Sequence, residues 1–337
     1  MESDLVEEVT PQETESQLVV MFKTASLVKV NGHGLETVSE DIAPVQAVLD
    51  RHRASLKLLF SQDENRLRCE QEEVLKASVE EGEPSALTGE LSGEESSSQS
   101  AGGNLPNIAS FYYVDGPVEN LESLAAELNE QDLIEAAYIA PPASLTLHIQ
   151  SIVPPHSMDV PRIDAKFAHI IPGGKGEGMG IVDCEGGWRF TYEDLRMLQG
   201  GVIYRTNATD PHSVSHGTGV SGIVSGDVNN FGILGIAPDA VFYGSSIQHG
   251  AAAAIKAAPD KLLRGDIILL PLHRPGPKTP RPPQGQKGFI PLEWWPAEYA
   301  VIRYAVNKGI VVVEAAGNWS QNLKNSIYNI RPTGFPA

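Results

Sequence analysis

Two stretches in the second half of the chain run apolar without alternation: Ile267-Ile268-Leu269-Leu270, after Asp266, and Ile310-Val311-Val312-Val313. A strand with one face in water alternates polar and apolar residues, so a strand apolar on both faces must be covered on both. Between these stretches Ala297, Ala300, Val301, Tyr304 and Ala305 return at helical spacing, and Gly309 follows as a helix stop. A third run, Gly178-Met179-Gly180-Ile181-Val182-Asp183, ends on an acid. Buried strands separated by helices predict an α/β unit with a mostly parallel sheet and helices on both faces. In such sheets functional groups collect at the carboxyl ends of the strands, which is where Asp183 and Asn318 stand.

The first half follows a different pattern. Gln17 to Phe22 reads as a strand, and Ala43 to Phe60 as one amphipathic helix carrying Val45, Val48, Leu49, Leu56 and Leu59. Ile108 to Val114 reads as a strand, Glu119 to Asn129 as a second helix, and Ala136 to Ala140 as a closing strand. This order fits a small α+β, ferredoxin-like split βαβ domain over residues 16–150, after an acidic tail at 1–15. Residues 80–107 are rich in Glu, Ser and Gly and lack the apolar surface to offset ordering entropy, so a disordered insertion is expected there. Residues 151–162 hold Pro154, Pro155 and Pro161 and read as a linker into the second unit, 163–337.

Charge and composition exclude some functions. The formal charge is −18, and residues 1–100 carry 8 Lys/Arg against 21 Asp/Glu, so nucleic acid is not an expected partner. No apolar run is long enough to span a membrane. Met1-Glu2-Ser3-Asp4 does not open a secretory signal. Cys69 and Cys184 are too few for a disulfide framework or a thiolate zinc site. Gly173-Gly174-Lys175-Gly176 precedes its strand, which is the wrong order for a phosphate loop.

Three segments carry candidate chemistry: Ile181-Val182-Asp183-Cys184-Glu185-Gly186, Ser215-His216-Gly217-Thr218-Gly219, and Val313-Glu314-Ala315-Ala316-Gly317-Asn318. Singly each has a plain structural explanation: an acid that caps a turn, a core histidine, a turn asparagine. In this order, and with Gly235-Ile236-Ala237-Pro238-Asp239-Ala240 and Tyr304 to Val313 in place, residues 160–337 resemble the subtilisin-like (subtilase) serine proteases. The resemblance implies a subtilisin-like sheet, a peptide or protein substrate, and an extracellular enzyme. Asp183 would be the triad acid, His216 the general base and Asn318 the oxyanion donor. Residues 16–150 would be a propeptide-like partner of the protease unit. The nucleophilic serine is expected roughly 65 residues beyond Asn318, past Ala337, so none is assigned in this chain.

Several residues depart from the family pattern. Asp183 is followed by Cys184 and Glu185 where Thr or Ser and then Gly are usual, which puts a second charge beside the acid. Where subtilases often carry Ser-x-Gly, this chain has Leu270-Pro271-Leu272-His273-Arg274 and then a Pro/Gly-rich stretch, Pro275 to Gln286. Leu270, Leu272 and Glu314 are the candidate substrate contacts, Glu314 lining the cleft or pairing with a cation, while His273 and Arg274 read as solvated loop residues. His212 is a rival base and Cys184 a rival nucleophile, both with poorer context. No cofactor is required. Asp227 to Gly232 offers oxygen ligands of the kind calcium takes, although a solvated turn is the simpler reading. A non-catalytic protein using the same scaffold for binding is the alternative function.

Overall fold

The computed structural model describes residues 16–26, 28–31, 34–37, 41–60, 63–80, 107–145, 164–195, 199–277, 288–318, 321–329 and 331–332. The expected acidic tail, the linker and nearly all of the expected insertion lie outside these residues.

The first unit contains β1 (Gln17–Phe22), the β2 (Lys29–Asn31) and β3 (Gly34–Glu36) hairpin, α1 (Ala43–Arg51), β4 (Ser55–Leu58), α2 (Glu64–Glu80), β5 (Phe111–Asp115), α3 (Leu121–Asn129) and β6 (Ile134–Ala140). Four of its strands form an antiparallel sheet in the order β4-β5-β1-β6, the ferredoxin-like arrangement. The expected Ala43–Phe60 helix is therefore corrected. It stops at Arg51, the Ala54 N–H closes onto the Leu49 carbonyl, Arg53 takes φ +52°, and β4 then pairs with β5. Leu56 and Leu59 satisfy helical spacing, and it is pairing with a distant strand that makes their segment extended.

β1 shows why this sheet is buried on both faces. Leu18, Val20 and Phe22 pack under α1 and α3 with Val45, Val48, Leu49, Leu124 and Leu128. Val19 and Met21 point the other way, into a core shared with the second unit. That side also receives α2, through Leu67 and Val74. Its Gln71 side chain accepts the Ile108 N–H at 2.9 Å.

After β7 (Ser144–Leu145) the second unit is described from α4 (Ala165–Ala168) onward. It continues through β8 (Gly180–Glu185), β9 (Gln199–Tyr204), α5 (Pro211–Ser225), β10 (Val241–Ser246), α6 (Ala251–Ala257), β11 (Ile267–Leu270), β12 (Leu272–Pro275), β13 (Phe289–Ile290), α7 (Pro296–Asn307) and β14 (Val311–Glu314). Five strands make a parallel sheet in the order β14-β11-β8-β10-β9, as the apolar runs predict. α6 and α7 cover one face with Ala251, Ile255, Ala300, Val301 and Tyr304, next to Val182 and Cys184 of β8. Ile181 faces the other way, toward Trp188, Ala240 and Phe242. Because strand side chains alternate, Asp183 and Glu185 share the Ile181 face.

The two units interlock. The Tyr138 hydroxyl accepts the Ala297 N–H at 3.0 Å, and Lys256 on α6 reaches Glu70 on α2 at 3.1 Å. β7 pairs antiparallel with β12, Leu145 opposite Leu272 and Ser144 opposite His273.

Candidate active site

β8 ends at the centre of the sheet, with β11 on one side and β10 on the other, and delivers two carboxylates. The imidazole comes from α5. Asp210 caps this helix, its Oδ1 accepting the Ser213 N–H at 2.9 Å, and Pro211 fills the first turn, where its missing N–H costs nothing. His216 follows in the next turn and is 8% exposed.

Gly217 explains how closely the helix approaches. A Cβ there would lie 2.3 Å from the Gly187 carbonyl oxygen and 3.0 Å from the Trp188 indole, so only glycine lets α5 pack onto the turn after β8. The turn is tied down further. Asn207 and Trp188 exchange side-chain to backbone hydrogen bonds at 3.3 and 2.8 Å, and the Arg189 N–H donates to the Thr218 hydroxyl at 2.9 Å.

Asp183 and His216 stand in the same buried cluster, but the carboxylate on the imidazole is Glu185. Its Oε1 and Oε2 lie 2.9 and 2.8 Å from His216 Nδ1. A carboxylate there requires Nδ1 to carry the proton, which puts the neutral ring's lone pair on Nε2. Asp183 instead accepts the Trp188 indole N–H on Oδ2 at 2.8 Å. The sequence contained the signal for Glu185: Gly186 and Gly187 follow it, supplying the small-residue turn that Asp183 lacks. A shift of two positions keeps the same strand face, so the apolar pattern is blind to it.

Both acids are fully buried. Burial pushes the Glu185 carboxyl well up from its ordinary value, and the His216 N–H is the contact that favours its ionised form. Burial, and then the neighbouring Glu185, push Asp183 well up. Cys184 points into the opposite core and burial raises its thiol, leaving an inert side chain. His212 is exposed on the first turn of α5.

Asn318 follows β14 on the same carboxyl edge of the sheet as Glu185 and is partly exposed. Gly317 before it has φ +89°, and a Cβ there would meet the Phe289 carbonyl at 2.7 Å. Leu270 and Leu272 are fully buried in the main core, so their side chains are not available to a ligand. Glu314 is partly buried and accepts the Glu293 N–H at 3.1 Å; burial and Glu293 raise its carboxyl to about 7. His273 and Arg274, expected from sequence to be solvated loop residues, are instead buried, each 2% exposed. Arg274 pairs with Glu298 at 2.7 Å and donates to the Pro141 carbonyl of the first unit. His273 stacks on Phe289 with ring centroids 4.1 Å apart.

The oxygen-rich Asp227–Gly232 turn is organised around Asp194. Its carboxylate accepts from the Asn229 amide at 2.9 Å and the Ile233 N–H at 3.0 Å, and its carbonyl accepts the Asp227 N–H at 2.8 Å. Among the described residues no helix is long and apolar enough to cross a membrane.

No family model matches the chain. Subtilisin E of Bacillus subtilis (strain 168) and Subtilisin NAT of Bacillus subtilis subsp. natto are each 25% identical to it over 233 residues, covering 67% of this chain and 54% of their own. The chain thus spans about half the length of these curated relatives. Fervidolysin from Fervidobacterium pennivorans, described as a keratinolytic enzyme related to subtilisin, is similar in structure with a TM-score of 0.47 and 12% identity, over 92% of this chain and 40% of its own. The chain is thus similar to the subtilisin-like serine proteases, with a parallel α/β sheet whose central strand brings Glu185 to His216 of α5.

Proposed function

We propose that this chain carries the acid–base half of a serine endopeptidase of the subtilase type. The observation that carries the reading is the Glu185 carboxylate bracketing His216 Nδ1 at the carboxyl end of the central strand. In this mechanism His216 Nε2 takes the proton from a serine hydroxyl as its oxygen attacks the scissile carbonyl, then returns that proton to the departing amine. Glu185 fixes the tautomer and stabilises the imidazolium. It replaces Asp183 as the triad acid in this proposal. Asn318 donates its side-chain amide to the developing oxyanion. The mechanism calls for a serine nucleophile, and none is assigned among the described residues; no cofactor takes part.

Residues 16–150 act as a propeptide-like partner. Supporting this, the extended segment Ser144–Leu145 adds a strand to β12, the mode in which a peptide docks on a sheet edge. The test is peptide hydrolysis by the protein extended through the downstream serine. Glu185→Gln should lower turnover by about 10⁴-fold, and His216→Ala by about 10⁶-fold. Activity unchanged in His216→Ala refutes the reading.

A further inference from the structure

The second buried carboxylate is unexplained by a three-residue catalytic unit. Asp183 and Glu185 sit two positions apart on one face of β8, both fully buried. His216 Nδ1 meets both oxygens of Glu185, at 2.9 and 2.8 Å. What Asp183 receives is one neutral donor, the Trp188 indole N–H, on Oδ2; its Oδ1 has no hydrogen-bond partner among the described residues. The strands on either side bring nothing charged to it: Gly244 of β10 and Leu269 of β11 lie opposite. From α5 the titratable neighbour is His216, and on its own strand Cys184 points away while Glu185 adds a like charge.

One imidazolium cannot offset two buried anions. Taking each anion out of water is costly, and like charges in one low-dielectric site do not both ionise. Glu185, which touches the imidazole with both oxygens, is the better placed to hold the charge.

The indole that orients Asp183 is itself held in place; its donation by itself favours the anion, so burial and the Glu185 charge are what keep the acid neutral. A Cβ at Gly244 would lie 2.6 Å from the six-membered ring of Trp188, and one at Gly217 would lie 3.0 Å from its five-membered ring. Phe190 stacks on it with ring centroids 5.9 Å apart. Two glycines and a stacking ring thus aim the N–H at Asp183.

We propose that Asp183 is a positioning residue kept as the neutral acid, clamped by Trp188, so that Glu185 is the single negative charge facing His216. The functional weight of this assignment rests on His216 being the proton acceptor; the protonation state itself does not.

The experiment uses the 337-residue chain labelled with ¹³C only at aspartate side-chain carboxyls, read by infrared difference spectroscopy at pH 7. The label removes every glutamate from the signal. The wild-type chain should show the carbonyl stretch of a protonated acid, shifted in D₂O, and Asp183→Asn should lose it. An NMR titration of His216 should move by no more than ~0.3 pH unit in Asp183→Asn and fall by about a unit or more in Glu185→Gln. Absence of the protonated-acid band in the labelled wild-type chain overturns the proposal whether or not any variant folds. So does a His216 shift in Asp183→Asn as large as that in Glu185→Gln. A serine-extended protein without peptidase activity sinks the enzymatic reading and leaves the band unaffected, so the two failures are distinguishable.

Discussion

Removing His273 should take away an acid-labile contribution to stability. His273 stands on β12, opposite Ser144 of β7, stacked on Phe289 and almost without solvent contact. Burial lowers its pKa from 6.5 to about 4. Between those two values the unfolded chain binds a proton that the folded chain refuses, so stability falls as pH drops through about 6.5 and has levelled off below about 4. At 1.36 kcal/mol per unit the full window is worth about 3 kcal/mol. Other groups titrate over the same range, so the measurement is a double difference. Urea denaturation of the wild-type chain and of His273→Leu is compared at pH 7.5 and pH 4. The wild-type chain should lose about 3 kcal/mol more than the variant, because leucine fills the site and does not titrate. The lost stability should appear first as exposure of Ser144–Leu145, read by hydrogen exchange at the β7–β12 pair. Equal pH dependence in both proteins would refute the argument that His273 is buried neutral.

Two further outcomes follow from buried charges. Arg274→Ala leaves Glu298 buried without its cation and removes the donor to Pro141, so unfolding free energy should drop by about 3–5 kcal/mol, whereas the paired change Arg274→Met with Glu298→Leu should cost much less. Equal losses in the single and double variants, measured by denaturant titration, would contradict it. Glu314, raised to about 7, stabilises fully below its unfolded value near 4.5 and loses that contribution as pH rises through about 7. Glu314→Gln should therefore stabilise the chain by about 3 kcal/mol at pH 8.5 and change little at pH 4, read from thermal midpoints.

The parallel sheet was legible because β8 and β11 are apolar and covered on both faces; β14 shares the pattern, but Val311 and Val313 are about half exposed, so its second face is not covered as expected. The helix over α7 and its stop at Gly309, with φ +79°, were legible from local spacing and backbone chemistry. α2 was not anticipated. Its surface is charged, and it is held by Arg66–Glu70 and Arg68–Glu64 pairs one turn apart while Leu67 and Val74 dock into the shared core. The break between α1 and β4 was hidden for a related reason, since Leu56 becomes a strand residue only by pairing with Val114, 58 positions on.

Sequence alone determined that a buried strand end carries acids and that a glycine-flanked histidine follows it on a helix. It could not determine which acid meets the histidine. Asp183 and Glu185 fall on one face by the two-residue period of a strand, and only side-chain reach, fixed by how closely Gly217 lets α5 approach, selects Glu185. The burial of His273 and Arg274 was likewise a tertiary decision, because the segment that covers them, Pro141 to Leu145, lies more than a hundred residues earlier in the chain. Local pattern reports what a side chain can do; the long-range packing of β7 and α5 decided which groups meet and which lose their water.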